Sequence, residues 1–326
     1  MVQHLVVIGA STGGLSAMKR LVPLLPGKLD YAVLVVIHSH PKSPMLMDRI
    51  LRAAGDLPVT YAQDNEDIER GHVYLAPPDR HLLVHGDKMR VLRGPTENSH
   101  RPAVDALFRT AAASHGAKVI AVILTGYLDD GSSGAEAVKL AGGRIIVQDP
   151  SDAEAAEMPQ SVLRHVGADY SGPVEQLPRF ITSCLHEGRA AAVPKTQLEE
   201  VLLEAESSAV AGNTEEHMNK LGELTTMICP ECHGPLWKVN SKILRFRCHI
   251  GHAYTSAHLL QDQDRELEEA LSGALRVLRD GENLSTAMAA KAAEMGQAES
   301  RDAHVRRSER LRDLSSKVEE LLTVPS

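Results

Sequence analysis

Residues 5–14 read Leu5-Val-Val-Ile-Gly-Ala-Ser-Thr-Gly-Gly14, an apolar run that ends in a turn of small residues. The residues that follow, 15–22, place their apolar side chains at helical spacing. Together they predict a strand, a tight turn and a helix, which is the βα unit of an open parallel sheet. Within the turn, the pattern Gly9-x-Ser11-x-Gly13 is the one that presents a serine hydroxyl on a sharp strand-to-helix bend.

Three interpretations compete for this turn. It is an ordinary loop with a serine helix cap, a dinucleotide site whose Gly9-x-x-x-Gly13-Gly14 loosely resembles a glycine fingerprint, or the turn of a nucleophilic serine. A glycine-rich βα turn is a weak motif by itself, so the rest of the chain has to decide between them.

Further apolar runs alternate with segments of helical spacing along the first half of the chain. The strand candidates are Tyr31–Ile37, Val119–Leu124 and Gly143–Gln148, and the helix candidates are Met45–Ala54, Val104–Ser114 and Ala135–Ala141. Runs that are apolar throughout are expected of strands buried on both faces. The alternation predicts a doubly wound, Rossmann-like α/β domain with a mostly parallel sheet over residues 1–188.

Polar side chains stand where the predicted strands end. Ser11, His38, the Asp129-Asp130 pair and Asp149 follow four of the apolar runs. Carboxyl ends of parallel strands meet at one edge of a sheet, so a hydroxyl, an imidazole and a carboxylate are expected to converge there as a Ser-His-Asp site.

Each of these residues also has a plainer interpretation. His38 alone would be read as a surface histidine, and Asp130-Gly131 as a turn with a helix cap. A dinucleotide site wants an acidic residue after the second strand. This chain has His38-Ser39-His40 at that place, which disfavours the dinucleotide interpretation.

Composition limits the classes of function. The chain has 326 residues, 43% hydrophobic content and a formal net charge of −8, which argues against a general nucleic-acid binder or a binder of anionic membranes. No run approaches the roughly 20 apolar residues needed to span a bilayer. The sequence enters its first strand without a signal-peptide pattern. We therefore expect a cytoplasmic protein.

The second half of the chain contains a cysteine and histidine pattern. Residues 189–226 are polar and alanine-rich and predict a linker with one helical patch at residues 197–206. Residues 227–256 then carry Cys229, Cys232, Cys248 and His252, the ligand set of a structural zinc ribbon. His249 is the competing fourth ligand, although His252 has the better spacing. Four such ligands leave no open position on the metal, so a structural zinc ion is expected.

Residues 257–326 are helical by pattern. Leucines recur at helical spacing from Leu259 to Leu278, and a second stripe runs from Leu311 to Leu321. Gly281-Glu-Asn is a candidate break between the two. The pattern predicts two amphipathic helices that pair with each other or meet a partner's helices.

Several stretches together resemble the catalytic domain of the chemotaxis protein-glutamate methylesterases, the CheB family. They are Ile8-Gly-Ala-Ser-Thr-Gly-Gly14, His38-x-x-Pro41, Gly71-His-Val-Tyr-Leu-Ala-Pro77 with Asp79, Gly94-Pro95 to His100-Arg-Pro102, Leu124-Thr-Gly-Tyr-Leu-Asp-Asp-Gly131, Gln148-Asp-Pro150 and Met158-Pro159. The resemblance covers residues 1 to about 185.

The resemblance implies roles for particular residues. Ser11 would be the nucleophile, His38 the base and Asp130 the acid that orients it. The backbone N–H groups of Thr12 and Tyr127 would form the oxyanion hole. Candidate substrate-binding residues are Arg80, Asn98, His100 and Arg101.

The implied reaction is hydrolysis of glutamyl γ-methyl esters on chemoreceptor-type helices through an acyl-enzyme, with deamidation of receptor glutamines as a second activity. No cofactor is expected for catalysis. The implied partners are a methylated chemoreceptor and a separate response regulator. A protein of another class, a non-catalytic scaffold that docks to receptors, is the alternative.

Three features depart from the family pattern. The regulatory form carries a receiver domain ahead of the catalytic one, and we expect a stand-alone form here. The segment that often reads Thr-Gly-Met-Gly is Thr125-Gly126-Tyr127-Leu128 in this chain, which changes the pocket wall. The zinc-ribbon and helical extension is not part of the core enzyme, and the sequence assigns it no role beyond docking.

Overall fold

The computed structural model describes residues 4–186, 194–209 and 212–323. Residues up to Leu259 form one compact unit, and residues from Leu260 onwards form a second. None of the described helices is both long and apolar enough to cross a lipid bilayer.

The first half of the chain alternates strands and helices. In chain order they are β1 (Leu5–Ala10), α1 (Gly14–Leu21), β2 (Ala32–Ile37), α2 (Met47–Arg52), β3 (Val59–Tyr61), β4 (Val73–Leu75), β5 (His81–His85), β6 (Lys88–Leu92), α3 (Val104–His115), β7 (Val119–Ile123), α4 (Ser132–Leu140), β8 (Arg144–Gln148), α5 (Glu157–His165), β9 (Tyr170–Gly172) and α6 (Leu177–His186).

Seven of these strands form one parallel sheet in the order β3-β4-β2-β1-β7-β8-β9. The predicted doubly wound α/β fold is confirmed. Strands β5 and β6 pair with each other as a separate antiparallel hairpin. Strands β1 and β2 are buried along their whole length, as their unbroken apolar runs predict.

The chain reverses its direction of strand addition at β1. Strand β1 pairs with β2 on one side and with β7 on the other, so the loops after these strands open onto the crevice where such sheets bind ligands. Gly9 lets α3 lie close over this point, because a Cβ on Gly9 would be 2.2 Å from Cγ1 of Val104. The start of α3 is thereby held beside the end of β1.

The described part of the second half of the chain contains the helices α7 (Lys195–Ala209) and α8 (Glu215–Leu221), a small sheet, and the long helices α9 (Ser256–Glu294) and α10 (Ala298–Thr323). The strands of the small sheet are β10 (Gly222–Ile228), β11 (Pro235–Val239), β12 (Arg245–Cys248) and β13 (Ala253–Thr255). The four strands form an antiparallel sheet in chain order. We call residues 222–259 the ribbon module.

The segment 189–226, predicted as a linker with one helical patch at residues 197–206, is mostly helix and strand over its described part. Helices α7 and α8 and most of β10 occupy it, and residues 189–193 and 210–211 lie outside the described residues. Within α7, Glu204 is 8% exposed and lies in ion pairs. The polar composition therefore concealed that this helix packs against the rest of the unit.

The two long helices were predicted, but the break between them was placed wrongly. Helix α9 continues through Gly281 and ends at Glu294, and Gly296 adopts a positive φ of 71° in the turn that follows. At position 281 a Cβ would lie 3.1 Å from Cδ1 of Leu311. Gly281 thus allows α10 to approach α9 closely and does not end the helix.

A buried ionic cluster joins the ribbon module to the α/β domain. Glu97 lies between Arg109 on α3, at 3.0 Å, and Arg247 on β12, at 3.2 Å. Glu204 on α7 pairs with Arg109 at 3.2 Å and accepts a hydrogen bond from Arg245 Nη2 at 2.9 Å. Burial alone would raise the pKa of Glu97, but the guanidinium groups of Arg109 and Arg247 lower it to about 2.

We predict that Arg247→Met lowers the free energy of unfolding by about 3 kcal/mol or more, because it leaves a buried carboxylate with one cation fewer. Urea unfolding followed by fluorescence of Trp237, the single tryptophan, measures this loss. Arg20→Met is the matched control: Arg20 pairs with Asp152 and Glu175 near the surface, so its loss is expected to cost about 1 kcal/mol or less. Equal losses in the two variants would contradict the importance of the buried cluster.

Candidate active site

Three side chains that follow different strands meet at the carboxyl edge of the sheet. The Oγ atom of Ser11 lies 3.1 Å from Nδ1 of His38, and Nε2 of His38 lies 2.7 Å from Oδ2 of Asp130. Since Nε2 donates to the carboxylate, Nδ1 keeps its lone pair and accepts from the serine hydroxyl. A hydroxyl, an imidazole and a carboxylate connected in this way form the arrangement used by serine hydrolases.

The carboxylate of Asp130 is fully buried and accepts five hydrogen bonds. Besides His38, the donors are the backbone N–H groups of Val104 at 2.7 Å, Asp105 at 3.1 Å and Gly131 at 3.0 Å, and Nδ2 of Asn98 at 3.0 Å. Burial would raise the pKa of Asp130, but the bonds from His38 and Val104 outweigh it and hold the pKa well below its usual range. Asp130 therefore stays ionised beside His38.

Sequence reasoning missed a second buried carboxyl group, that of Asp105. Its Oδ1 atom accepts from the backbone N–H groups of Gly131 at 2.9 Å and Gly134 at 2.6 Å, and Oδ2 accepts from Nδ2 of Asn98 at 2.9 Å. Burial and the charge of Asp130 raise the pKa of Asp105 well above its usual value. The negative charge of the pair is therefore concentrated on Asp130. An acidic residue in a first helical turn normally stabilises its own helix, so no local sequence pattern indicates this role.

The turn after β1 is held from both sides. The backbone N–H of Ser11 donates to the carbonyl of Thr125 at 2.9 Å, and the N–H of Gly14 donates to the carbonyl of Ser11 at 2.8 Å. Gly126 runs directly beside the serine, since a Cβ there would lie 2.8 Å from Cβ of Ser11 and 2.0 Å from Sδ of Met158. The serine is thus packed between its own turn and the loop after β7.

The two predicted oxyanion donors lie on these same loops. Among the residues that the structure describes, the backbone N–H groups of Thr12 and Tyr127 have no hydrogen-bond acceptor. The side chain of Tyr127 is 57% exposed. Both N–H groups are therefore available to a substrate oxygen, and the bulk of Tyr127 points to solvent.

A cleft of about 370 Å³ opens next to His38. Of the four residues predicted to bind substrate, His100 and Arg101 line it, and Arg101 is fixed by Asp79 at 2.6 Å. Arg80 is exposed and is not part of this lining. Asn98 is 2% exposed and does not line the cleft; its amide nitrogen donates a hydrogen bond to the buried carboxylate of Asp130.

His100 stacks on His38, with ring centroids 3.7 Å apart and an angle of 15° between the planes. Nδ1 of His100 donates to the backbone carbonyl of Asn98 at 2.5 Å. Burial and the neighbouring His38 lower the pKa of His100 to about 4. At neutral pH the ring of His100, which stacks on His38, is therefore uncharged.

The cysteine and histidine cluster forms at one end of the ribbon module. The Sγ atoms of Cys229, Cys232 and Cys248 and a ring nitrogen of His252 all lie within 4.8 Å of one another. The Cys232–Cys248 sulfur distance is 3.6 Å, and Sγ of Cys248 lies 3.5 Å from Nδ1 of His252. Zinc at about 2.3 Å from each sulfur spaces tetrahedral sulfurs by about 3.7 Å.

The donor set therefore fits a closed, tetrahedral zinc site. His252 belongs to it, whereas His249 lies against Gly234, where a Cβ would be 2.5 Å from its Cε1 atom. Nε2 of His252 lies 3.3 Å from Oε2 of Glu231. A carboxylate on the other ring nitrogen is the usual means of orienting a histidine ligand.

The sequence of this chain is similar to those of known proteins. The CheB methylesterase family matches residues 6–181. A putative protein-glutamate methylesterase/protein-glutamine glutaminase of Leptospira interrogans is 39% identical over 173 residues, which is 53% of this chain and 90% of that protein. Protein-glutamate methylesterase/protein-glutamine glutaminase 4 of Myxococcus xanthus is 41% identical over 174 residues, which is 53% of this chain and 48% of that protein.

A solved structure agrees with these matches. The crystal structure of the Thermotoga maritima CheB methylesterase catalytic domain resembles this chain with a TM-score of 0.54 at 35% identity, covering 56% of this chain and 99% of that domain. The chain spans most of the Leptospira protein and about half the length of the Myxococcus protein.

A parallel α/β sheet with a linked serine, histidine and carboxylate at its carboxyl edge is an arrangement that hydrolases use. The chain belongs to the CheB methylesterase family and is a carboxylic ester hydrolase. The family match ends at residue 181, before the ribbon module begins.

Proposed function

We propose that this protein is a protein-glutamate methylesterase that hydrolyses γ-methyl esters of glutamate side chains on chemoreceptor-type helices. The observation that carries the proposal is the continuous hydrogen-bonded chain from Ser11 through His38 to Asp130. The names of the Leptospira and Myxococcus relatives supply the substrate class.

The first half of the reaction forms an acyl-enzyme. Oγ of Ser11 attacks the ester carbonyl while Nδ1 of His38 takes the serine proton. Asp130 stabilises the imidazolium that results, and its bond to Nε2 keeps the ring oriented. The N–H groups of Thr12 and Tyr127 hold the oxyanion, a contribution of about 3 kcal/mol for one donor in related sites. Methanol leaves with the proton from His38.

The second half of the reaction hydrolyses the acyl-enzyme, with water in the place of the serine hydroxyl. Water enters, His38 accepts its proton, and attack on the acyl carbon releases the glutamate side chain and restores Ser11. A receptor glutamine would give the same acyl-enzyme with ammonia as the leaving group. Deamidation of glutamine is therefore part of the proposal as a second activity of the same site.

The alternative is a non-catalytic protein that docks to receptors. A docking protein does not require a buried, ionised carboxylate, an oriented imidazole and a hydroxyl in hydrogen-bond contact. Holding Asp130 buried needs five donors from three parts of the chain, and this arrangement favours the enzyme.

We predict that the wild-type protein releases methanol from a methylated receptor fragment and that Ser11→Ala lowers the rate at least 10³-fold, because the acyl-enzyme cannot form. Ser16→Ala, an exposed position on α1, is the matched control and should keep the wild-type rate. Receptor binding without methanol release by the wild type would favour the docking protein. Release that survives Ser11→Ala would mean that another group is the nucleophile.

We propose further that Cys229, Cys232, Cys248 and His252 hold one structural zinc ion. The four donors occupy all positions of a tetrahedral ion, so the ion would stabilise the ribbon module and take no part in ester hydrolysis. A small sheet of four short strands gains much of its stability from such a site.

We predict one zinc ion per wild-type chain and a large loss of bound zinc in Cys232→Ser, measured by elemental mass spectrometry. Cys184→Ala removes a buried cysteine outside the cluster and should leave the zinc content unchanged. Zinc content that is the same in the wild type and in Cys232→Ser would contradict the assignment.

A further inference from the structure

The ribbon module contacts the residues that hold the catalytic carboxylate. The backbone N–H of Asn98 donates to the carbonyl of Ala253 at 2.7 Å, and the backbone N–H of Thr255 donates to Oδ1 of Asn98 at 2.9 Å. Both Asn98 and Thr255 are almost fully buried. Because Thr255 occupies the amide oxygen, the amide nitrogen of Asn98 must face Asp105 and Asp130.

A second contact reaches the residue next to Asp130. Oγ1 of Thr255 donates to Oδ1 of Asp129 at 2.7 Å, and Nδ1 of His258 lies 2.8 Å from the same oxygen. Asp129 stands between Tyr127, whose N–H is a proposed oxyanion donor, and the catalytic Asp130. The ribbon module therefore anchors the loop after β7 at the residue between these two groups.

This loop needs an anchor, because it contains a strained residue. Leu128 has a positive φ of 60°, a conformation that costs about 1 kcal/mol or more for a residue with a branched side chain. Such a residue persists only where its surroundings fix the backbone. The bonds from Thr255 and His258 to Asp129, one residue further on, supply part of that restraint.

The ribbon module is itself held firmly on the α/β domain. Arg247 is buried against Glu97, and the backbone N–H of Ala253 donates to the carbonyl of Thr96 at 3.3 Å. Neither Thr255 nor His258 lines the cleft beside His38. Their hydrogen bonds to Asn98 and Asp129 lie behind the reacting groups, and the ring of His258 also meets the ring of His100 edge-on, with centroids 6.0 Å apart.

We propose that the ribbon module is a built-in support of the active site, in which Thr255 and His258 act as positioning residues for the ester hydrolysis. They act through Asn98 and Asp129 on Asp130 and on the oxyanion loop. The inference rests on the proposed methylesterase function for its reaction, and on the observed contacts for its residues.

The test compares disruptive with conservative substitutions. Thr255→Val and His258→Leu remove the bonds to Asp129, whereas Thr255→Ser keeps the hydroxyl and His258→Asn keeps a donor near the position of Nδ1. We expect each disruptive variant to lower kcat about tenfold, since one hydrogen bond of about 1.4 kcal/mol is lost. KM should change less than twofold, and the conservative variants should recover most of kcat.

A matched control and a second readout separate support of the site from general destabilisation. Thr225→Val removes a hydroxyl that donates to the carbonyl of Leu236 inside the ribbon sheet, and it should keep the wild-type kcat. The rate at which a fluorophosphonate labels Ser11 reports activation of the serine without any ester substrate. That rate should fall about tenfold in the disruptive variants alone.

The outcomes are distinguishable. A wild-type protein that is labelled by the fluorophosphonate but releases no methanol would refute the proposed substrate, and the labelling rates would still decide the role of Thr255 and His258. Wild-type values of both rates in Thr255→Val and His258→Leu would overturn the inference. Equal losses in Thr225→Val and in the conservative variants would also overturn it, because they would indicate a general loss of stability.

Discussion

The structure depends on keeping one carboxylate, that of Asp130, ionised in a fully buried place. Burying an isolated charge is costly, so the charge must be met by hydrogen bonds from several directions. The start of α3 supplies two backbone N–H groups, the residue after Asp130 supplies a third, and Asn98 and His38 supply the rest. The position of the His38 imidazole is one consequence of this arrangement.

The fold brings these donors together because of close approaches that only small residues permit. Gly9 lets the first turn of α3 lie against the end of β1, and Gly131 packs against Ile123 and Val104 in the same way. The reversal of strand order at β1 then places the loops after β1, β2 and β7 side by side. The proposed ester hydrolysis would use the crevice that results.

Much of this architecture is readable from the sequence, for a physical reason. Strands buried on both faces must be apolar throughout, so the apolar runs that end before Ser11 and His38 predict two of these strands. The residues that follow those runs predict where the site lies. The side chains that support the site from behind cannot be predicted from such local patterns. Asp105 and Thr255 act across the fold on residues 25 and more positions away, and Glu204 pairs with Arg109 on another helix, so the helical patch in the predicted linker is packed. Such pairings are set by tertiary contacts and leave no local pattern.

The protonation of His38 tests the central claim most directly. In protein labelled with ¹⁵N-histidine, we expect the neutral imidazole of His38 to carry its proton on Nε2, bonded to Asp130, and to leave Nδ1 unprotonated. The downfield signal of that Nε2 proton should vanish in Asp130→Asn. A proton on Nδ1 in the wild type, or a His38 signal that Asp130→Asn leaves unchanged, would contradict the account.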